Sequence, residues 1–257
     1  MGKKIELIYR FIVTIFGFIL FGVFGTLMYL VLIPWGWNYP NTSLKSQLKA
    51  RKFVSWTWRL LIKYGTLCKI VKVNYRGLER LGKPGQLILA NHPSLLDVVL
   101  LFMKINNTNI VVKKSLLQNP SMRGAIRACG FIPGTESEEF LEACHKALQE
   151  QSLLIFPEGT RTGWDGVVNI HRGAISIGLR SAKVITPVII KANPPHFKKG
   201  QPWYKVPVCT VNYDIYVGED IDTAQRLAEK PLPIAARRIK AELETYFNTQ
   251  TKDNTCN

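Results

Sequence analysis

The chain has 257 residues, of which 47% are hydrophobic, and its 34 Lys and Arg against 18 Asp and Glu leave a formal charge of +16. That apolar fraction excludes a disordered chain, and the length suits one α/β domain of roughly 200 residues plus an appendage. The charge is uneven: residues 1–85 hold 14 Lys and Arg with only Glu6 and Glu79 as acids, so +12 of the +16 lies in the first third, which disfavours an ordinary soluble enzyme.

Residues 11–33 carry no charge. At about 1.5 Å per residue such a run reaches the ~30 Å of a bilayer core, and it is longer than the ~7–15 apolar residues of a cleaved signal peptide. Lys3, Lys4 and Arg10 precede it, while Lys45, Lys49, Arg51, Lys52, Arg59 and Lys63 follow. With basic residues on both flanks the positive-inside rule assigns no opposite sides, so an anchor that dips in and returns is favoured over a single spanning helix followed by a soluble basic one. Gly17, Gly22 and Gly25 are expected to weaken a straight helix, and Pro34-Trp35-Gly36-Trp37 reads as an interfacial turn. Residues 44–64 combine basic charge with Phe53, Trp56, Trp58, Leu60, Leu61 and Ile62, the pattern of a helix lying in the headgroup layer. The expectation is a membrane-associated helical hairpin over residues 1–66, with the active domain on the cytoplasmic face, the inner membrane in a bacterium. Nucleic acid is the other usual partner of a basic chain, but duplex binding requires neither a bilayer-length apolar run nor interfacial tryptophans. Anionic headgroups explain both.

Beyond residue 66, short β-rich runs alternate with helical patterns. Strands are predicted at 70–75, 86–90, 109–112, 152–156, 184–190 and 208–217, and helices at 94–104, 122–128, 138–150, 174–181 and 232–247. The fold class is therefore α/β, a mixed β-sheet flanked by helices, over residues 67–248, with a flexible polar tail at 249–257. The cysteines, Cys68, Cys129, Cys144, Cys209 and Cys256, form no CxxC pair and no zinc spacing with the histidines, which suggests a reducing compartment and no metal.

Two places carry chemistry. In the first, an apolar strand 87–90 ends in Asn91-His92, followed by Pro93 in the position preferred for the first residue of a helix. Asp97 is five residues on, about 140° away from His92 if both stood in one helix. With His92 just outside the helix, the first turn and a half can curl Asp97 back beneath the imidazole. The carboxylate would then fix the proton on Nδ1 and leave Nε2 free to accept one. The same residues also suit a helix-capping histidine and a first-turn aspartate favoured by the helix dipole. In the second place, strand 153–156 runs into Pro157-Glu158-Gly159-Thr160-Arg161, presenting charge at a strand's carboxyl end, where parallel sheets bind ligands. Arg161 offers a donor fork suited to a phosphate and Gly159 permits close backbone approach, although a surface turn with an ion pair would read alike.

Taken together, Asn91-His92-x4-Asp97 and Phe156-Pro157-Glu158-Gly159-Thr160-Arg161 resemble the glycerolipid (lysophospholipid) acyltransferase family, of the 1-acylglycerol-3-phosphate acyltransferase kind. Lys114-Ser115-Leu116-Leu117-Gln118-Asn119-Pro120 leading to Gly130-Phe131-Ile132 resembles the family's second motif, and Val184-Ile185-Thr186-Pro187-Val188 its fourth. The resemblance covers roughly residues 77–191. It implies transfer of a fatty acyl group from a thioester, acyl-CoA or acyl-ACP, to a hydroxyl of a membrane lipid acceptor, with His92 as base, Asp97 as its orienter and no acyl-enzyme. It further implies that Asn91, Lys114, Glu158, Gly159, Thr160 and Arg161 bind substrate, and that neither metal nor cofactor is needed, since a thioester is already activated. An acyl carrier protein is a conceivable partner. One departure stands out: the position where many members carry an arginine after the second motif holds Glu136, which removes one phosphate contact and points away from lysophosphatidic acid as acceptor.

Two rivals belong to other classes. Ala174-Ile175-Ser176-Ile177-Gly178 approaches a serine-hydrolase elbow, but no strand directly precedes Ser176. A non-catalytic membrane lipid-binding scaffold would have no reason to keep His92, Asp97, Glu158 and Arg161 together. His145 reads as a solvated helix residue.

Overall fold

The structure is a computed structural model that describes residues 2–37, 39 and 41–252. It opens with helix α1 (Lys3–Leu32), a 3-10 turn at Pro34–Gly36 and helix α2 (Leu44–Leu67), so the expected hairpin forms and Pro34 starts its turn. Ser43 caps α2, its side chain accepting from the Ser46 amide. Helix α1 continues unbroken through Gly17, Gly22 and Gly25, contrary to the weakening expected of them. No proline interrupts that stretch, and a glycine lowers helix stability by only about 1 kcal/mol.

One side of α1 is buried from Arg10 through Val13, Thr14 and Met28 to Leu32, while Ile5, Ile8, Ile12, Phe16, Ile19, Val23 and Leu30 are exposed. The exposed residues from Ile5 to Val23 repeat at three or four residues, the pattern of a helix lying lengthwise on a surface. The buried Arg10 donates to Glu6 and to the Lys69 carbonyl, and Tyr64 donates to the Val13 carbonyl. Helix α2 differs more from expectation. Arg51, read as a headgroup-facing charge, is fully buried, and Ala50, Val54 and Ile62 join the domain core. Residues 44–64 alternate basic and apolar positions, and the apolar ones turn inward because a sheet with its own apolar face lies beneath them.

The rest of the chain supplies strands β1 (Val71–Arg76) and β2 (Gln86–Ala90), helix α3 (Asp97–Phe102), strand β3 (Asn109–Lys113), helix α4 (Pro120–Cys129), strand β4 (Ile132–Gly134), helix α5 (Glu138–Glu150) and strand β5 (Leu153–Ile155). Helix α6 (Arg172–Ser181), strands β6 (Val184–Asn193), β7 (Val211–Val217) and β8 (Ile221–Asp222), and helices α7 (Thr223–Glu229) and α8 (Leu232–Lys252) complete it. Among the described residues eight strands form one sheet in the order β1-β7-β6-β2-β5-β3-β4, with β8 paired to β6. Strands β6, β2, β5, β3 and β4 run parallel, whereas β7 is antiparallel to β6 and β1 parallel to β7.

All eleven predicted elements of the globular part exist, those at 86–90 and 138–150 with the expected ends and the others with shifted ones; β4, β8 and α7 were not predicted, each too short to show a period. The predicted helix 94–104 is only α3, starting at Asp97, so Pro93 is not its first residue. Helix α8 continues to Lys252, making 249–252 of the expected tail helical; 253–257 lie outside the described residues.

Side chains alternate along β2: Ile88 and Ala90 pack under α1 to α4, and Leu87 and Leu89 pack against α5, α6 and α8. The sheet is thus buried on both faces, as a mainly parallel sheet requires. Gly178 sits where α6 crosses β2 and β6, a Cβ there falling within 2.7–2.8 Å of Ile185 and Leu87. The Ser176 segment is therefore a buried helix contact, not a nucleophile elbow.

Candidate active site

Pairing of β2 with β5 sets the site. Leu89 stands opposite Ile155, so the loops leaving the two strands diverge from adjacent points and His92 and Glu158, each three residues further on, arrive side by side. This is the carboxyl end of parallel strands, where the sheet's own hydrogen bonds cease and backbone groups become available.

The His92 Nδ1 lies 2.8 Å from Asp97 Oδ2, and the Ser94 amide donates to the same oxygen at 2.7 Å. The curl of residues 93–96 into the start of α3 achieves this. Asp97 is wholly buried and its Oδ1 has no hydrogen-bond partner. With the carboxylate ionised, Nδ1 must be the donor, which leaves the lone pair of Nε2 for a substrate proton. The imidazole lies against the Phe156 ring at 4.4 Å between centroids.

Burial raises the Asp97 carboxyl above its ordinary value, against the opposing pull of His92 and the Ser94 amide. A folded-state value above the unfolded one means that the group's contribution to stability is fully present below the unfolded value, about 3.9, and is lost as pH rises through the folded value. At neutral pH the ionised Asp97 thus weighs against the fold. Asp97→Asn is expected to be more stable than the parent there, with the difference shrinking toward pH 4. Thermal unfolding midpoints of both proteins across pH 4–8 measure it; a variant less stable than the parent at pH 7 would contradict this account.

Glu158, expected to meet substrate, does not line the cavity described below. It is buried, and its Oε1 accepts from the His92 amide at 2.9 Å and from the Thr162 hydroxyl at 2.9 Å, while the Thr162 amide donates to the His92 carbonyl at 2.8 Å. It ties the two loops together, and burial again raises its carboxyl. Asn91 is likewise withdrawn: its side chain donates to the Ile190 carbonyl and accepts from the Ile190 amide, satisfying both ends of the amide inside the sheet. Lys114 stands exposed on the 3-10 turn Lys114–Gln118, outside the cavity described below, whereas its neighbour Lys113 reaches the cavity.

Gly159, Thr160 and Arg161 do line that cavity. Gly159 has φ +63°, a left-handed conformation that lets the loop reverse beside His92. Arg161 donates through Nη1 to the carbonyls of Phe197 (2.8 Å) and Lys198 (3.2 Å), so part of its fork is committed to the chain. The segment after β6 is thereby joined to the site, and the Leu95 amide donates to the Phe197 carbonyl as well. A buried chain of hydroxyls lies behind: Ser94 Oγ is 2.8 Å from the Tyr213 hydroxyl, itself 3.3 Å from Nδ1 of His196. Burial pushes His196 down to about 4, so it is neutral at physiological pH. Ser94, Thr162, His196 and Tyr213 were not anticipated. Ser94 and Thr162, adjacent to the motifs, were within reach; the other two join only through the tertiary fold.

A cavity of about 1170 Å³ runs from His92 beneath α1, walled by Phe18, Phe21, Trp58, Phe102, Ile110 and Phe131 among other apolar side chains. Its charged lining is sparse, Lys113, Arg161 and Arg172 against Glu136. The arrangement can bring a long apolar chain to a histidine base with a few cations nearby.

Comparison with known proteins agrees. The profile of the family described as Acyltransferase matches residues 72–191. A lysophospholipid acyltransferase of Arabidopsis thaliana is 25% identical over 164 residues, 59% of this chain and 29% of that protein. A 1-acyl-sn-glycerol-3-phosphate acyltransferase of Helicobacter pylori is 32% identical over 125 residues, 44% of this chain and 52% of that protein. The chain thus spans about half or less of the length of these relatives. Among solved structures, the 1-acyl-sn-glycerophosphate (LPA) acyltransferase PlsC from Thermotoga maritima shares the fold, with a TM-score of 0.65 at 19% identity over 95% of this chain and 98% of that one.

Proposed function

We propose that this chain, which the acyltransferase family model matches over residues 72–191 and which is similar to 1-acyl-sn-glycerol-3-phosphate acyltransferases, moves a fatty acyl group from acyl-CoA or acyl-ACP to the hydroxyl of a lysophospholipid. The observation that carries this reading is the 2.8 Å contact of His92 with Asp97 at the end of a long apolar cavity. Nε2 of His92 takes the hydroxyl proton as the oxygen attacks the thioester carbonyl. Collapse of the tetrahedral adduct breaks the C–S bond, and the imidazolium returns the proton to the departing thiolate, giving ester and free thiol. Asp97 holds Nδ1–H throughout, and Glu158 fixes the backbone on which the imidazole stands. Release of thiol by purified membranes given thioester and lysolipid tests the reading; a lipid-binding scaffold would release none.

The protein works on a membrane surface. The exposed stripe of α1, including Ile12, Phe16, Ile19 and Val23, supports embedding of that face, and its buried residues support an anchor that lies along one leaflet.

The acceptor headgroup meets Arg161, and Glu136 lines the same cavity. A dianionic phosphomonoester would be repelled by Glu136, and half of the Arg161 fork is already engaged. A phosphodiester lysolipid, with less charge, suits this lining better, although Lys113 and Arg172 on the wall favour the alternative, acylation of lysophosphatidic acid to phosphatidic acid. In competition between equal amounts of the two, the phosphodiester lysolipid is expected to be acylated preferentially. Preference for lysophosphatidic acid would reverse the assignment.

A further inference from the structure

The segment between β6 and β7 carries exposed aromatic residues that the acyl-transfer chemistry does not use. Trp203 is 47% exposed, Tyr204 57%, and Trp164, from the loop after Arg161, 62%. A soluble surface has no use for three such rings in one neighbourhood. Lys198, Lys199 and Lys205 stand among them, and residues 194–210 contain no acid. Lys198 Nζ lies 5.1 Å over the Trp164 ring, and Trp164 Nε1 donates to the Lys199 carbonyl at 3.0 Å, so the two loops form one rim.

This rim adjoins α1. Phe18, in the middle of the uncharged run, contacts Phe197 at 5.6 Å and Trp203 at 5.3 Å between ring centroids. Further along, Leu7, Ile8 and Phe11 line a shallow depression with Tyr204, Lys205 and Val206. At about 100° per residue, Leu7, Phe11 and Phe18 lie on one flank of the exposed stripe of α1. Helix α2 occupies the other flank, through Trp58 against Phe21 at 5.6 Å and Tyr64 against Phe16 at 6.5 Å. The stripe is thus bordered on both sides, and a bilayer that receives it also meets the rim.

We propose that residues 197–206, with Trp164, form a second membrane-contact element that docks on an anionic phospholipid surface and holds the part of the cavity lined by Leu95 and Phe197 against the bilayer. Tryptophan and tyrosine with flanking lysines are the side chains that settle in the headgroup layer. The placement has a purpose: the Phe197 carbonyl holds Arg161 and the Leu95 amide, so the element that touches lipid also fixes the headgroup-binding arginine. The proposal rests on the reading of α1 as the membrane anchor.

The test uses the full-length protein in vesicles of phosphatidylglycerol and phosphatidylcholine, with Cys68, Cys209 and Cys256 changed to serine. A bimane label is attached through Tyr204→Cys, Val23→Cys or Glu142→Cys, all exposed positions, so that folding is not at stake. Lipids brominated near the headgroup quench by contact. Position 204 is expected to lose most of its emission, as does 23 on α1, while 142 on α5, across the sheet, loses none. Lys198→Gln/Lys199→Gln/Lys205→Gln should remove the dependence of quenching at 204 on the anionic lipid. Quenching at 23 without quenching at 204 overturns the second contact and leaves the anchor standing. Absence at both positions overturns the anchor reading as well.

Discussion

Replacing His92 by alanine is expected to slow acyl transfer by at least about 10²-fold, because loss of a general base typically removes 10² to 10⁴ in rate. The geometry makes the assignment specific. Nδ1 is held by Asp97 at 2.8 Å, leaving Nε2 as the ring's available acceptor, and the backbone on which the ring stands is pinned at its amide by Glu158 and at its carbonyl by the Thr162 amide. Truncation at Cβ removes none of these backbone ties, so the variant should remain folded and membrane-bound, and the loss should fall on turnover more than on affinity for either substrate. The measurement is thiol release at saturating thioester and lysolipid, with circular dichroism and membrane recovery as controls. Near-normal turnover by a folded His92→Ala protein would eliminate the mechanism.

The second large effect is on stability. Arg51 is fully buried in α2 and donates to the carbonyls of Cys129 (2.8 Å) and Asn107 (3.4 Å) and to the side chains of Gln151 (2.6 Å) and Gln47 (3.2 Å). Its guanidinium carbon also lies 5.8 Å from the Phe131 ring centroid. Burial brings its pKa down to about 10, which still leaves it charged at neutral pH. Among the described residues no carboxylate is within ion-pair distance, so the charge is solvated by neutral dipoles alone. Arg51→Met fills similar space but strands those oxygens, each unpaired acceptor costing about 1–3 kcal/mol. A destabilisation of about 3–5 kcal/mol is expected, a large share of the 5–15 kcal/mol that holds a typical domain together. Denaturant titration in detergent reads it. Arg59→Met is the comparison, since Arg59 makes one such bond, Nε to the Met103 carbonyl at 2.8 Å, and should cost less. Equal stability of Arg51→Met and the parent would mean that the guanidinium network contributes nothing.

The difference between these residues shows what a linear sequence can disclose. His92 and Asp97 are five residues apart, and a local curl suffices to join them, so their pairing was legible. Arg51 was not: a basic residue in a Trp-bearing amphipathic stretch reads as headgroup-facing, and only the arrival of Cys129, Asn107 and Gln151 from three other elements makes it a core residue. Glu158 is an intermediate case. Its position at a strand end was correctly located, but its partners depend on β2 pairing with β5, so the bonds of its Oε1 to the His92 amide and the Thr162 hydroxyl were not legible. Asn91 follows the same logic through β6. The run of alternating strands and helices fixed the class of fold early, whereas β4 and β8, three and two residues long, acquire their extended form from neighbours rather than from any pattern of their own.

The sheet order has a consequence for the chain's birth. Strand β1 pairs, among the described residues, with β7 alone, and Asn74 donates across that pairing to Asp214, 140 residues later. Synthesis at ~5–20 residues per second therefore leaves β1 without its neighbour for roughly 7–28 seconds, with α1 and α2 already emerged. Until α3 and α4 follow, the apolar stripe of α1 and the core-facing side of α2 have only each other and the bilayer to cover them. Closure of the sheet waits for a contact of long sequence separation, the kind that forms slowly. Early capture of the amino-terminal hairpin by lipid would shield the nascent chain from its neighbours on the polysome, so that the membrane serves as a folding partner before it serves as the source of substrate.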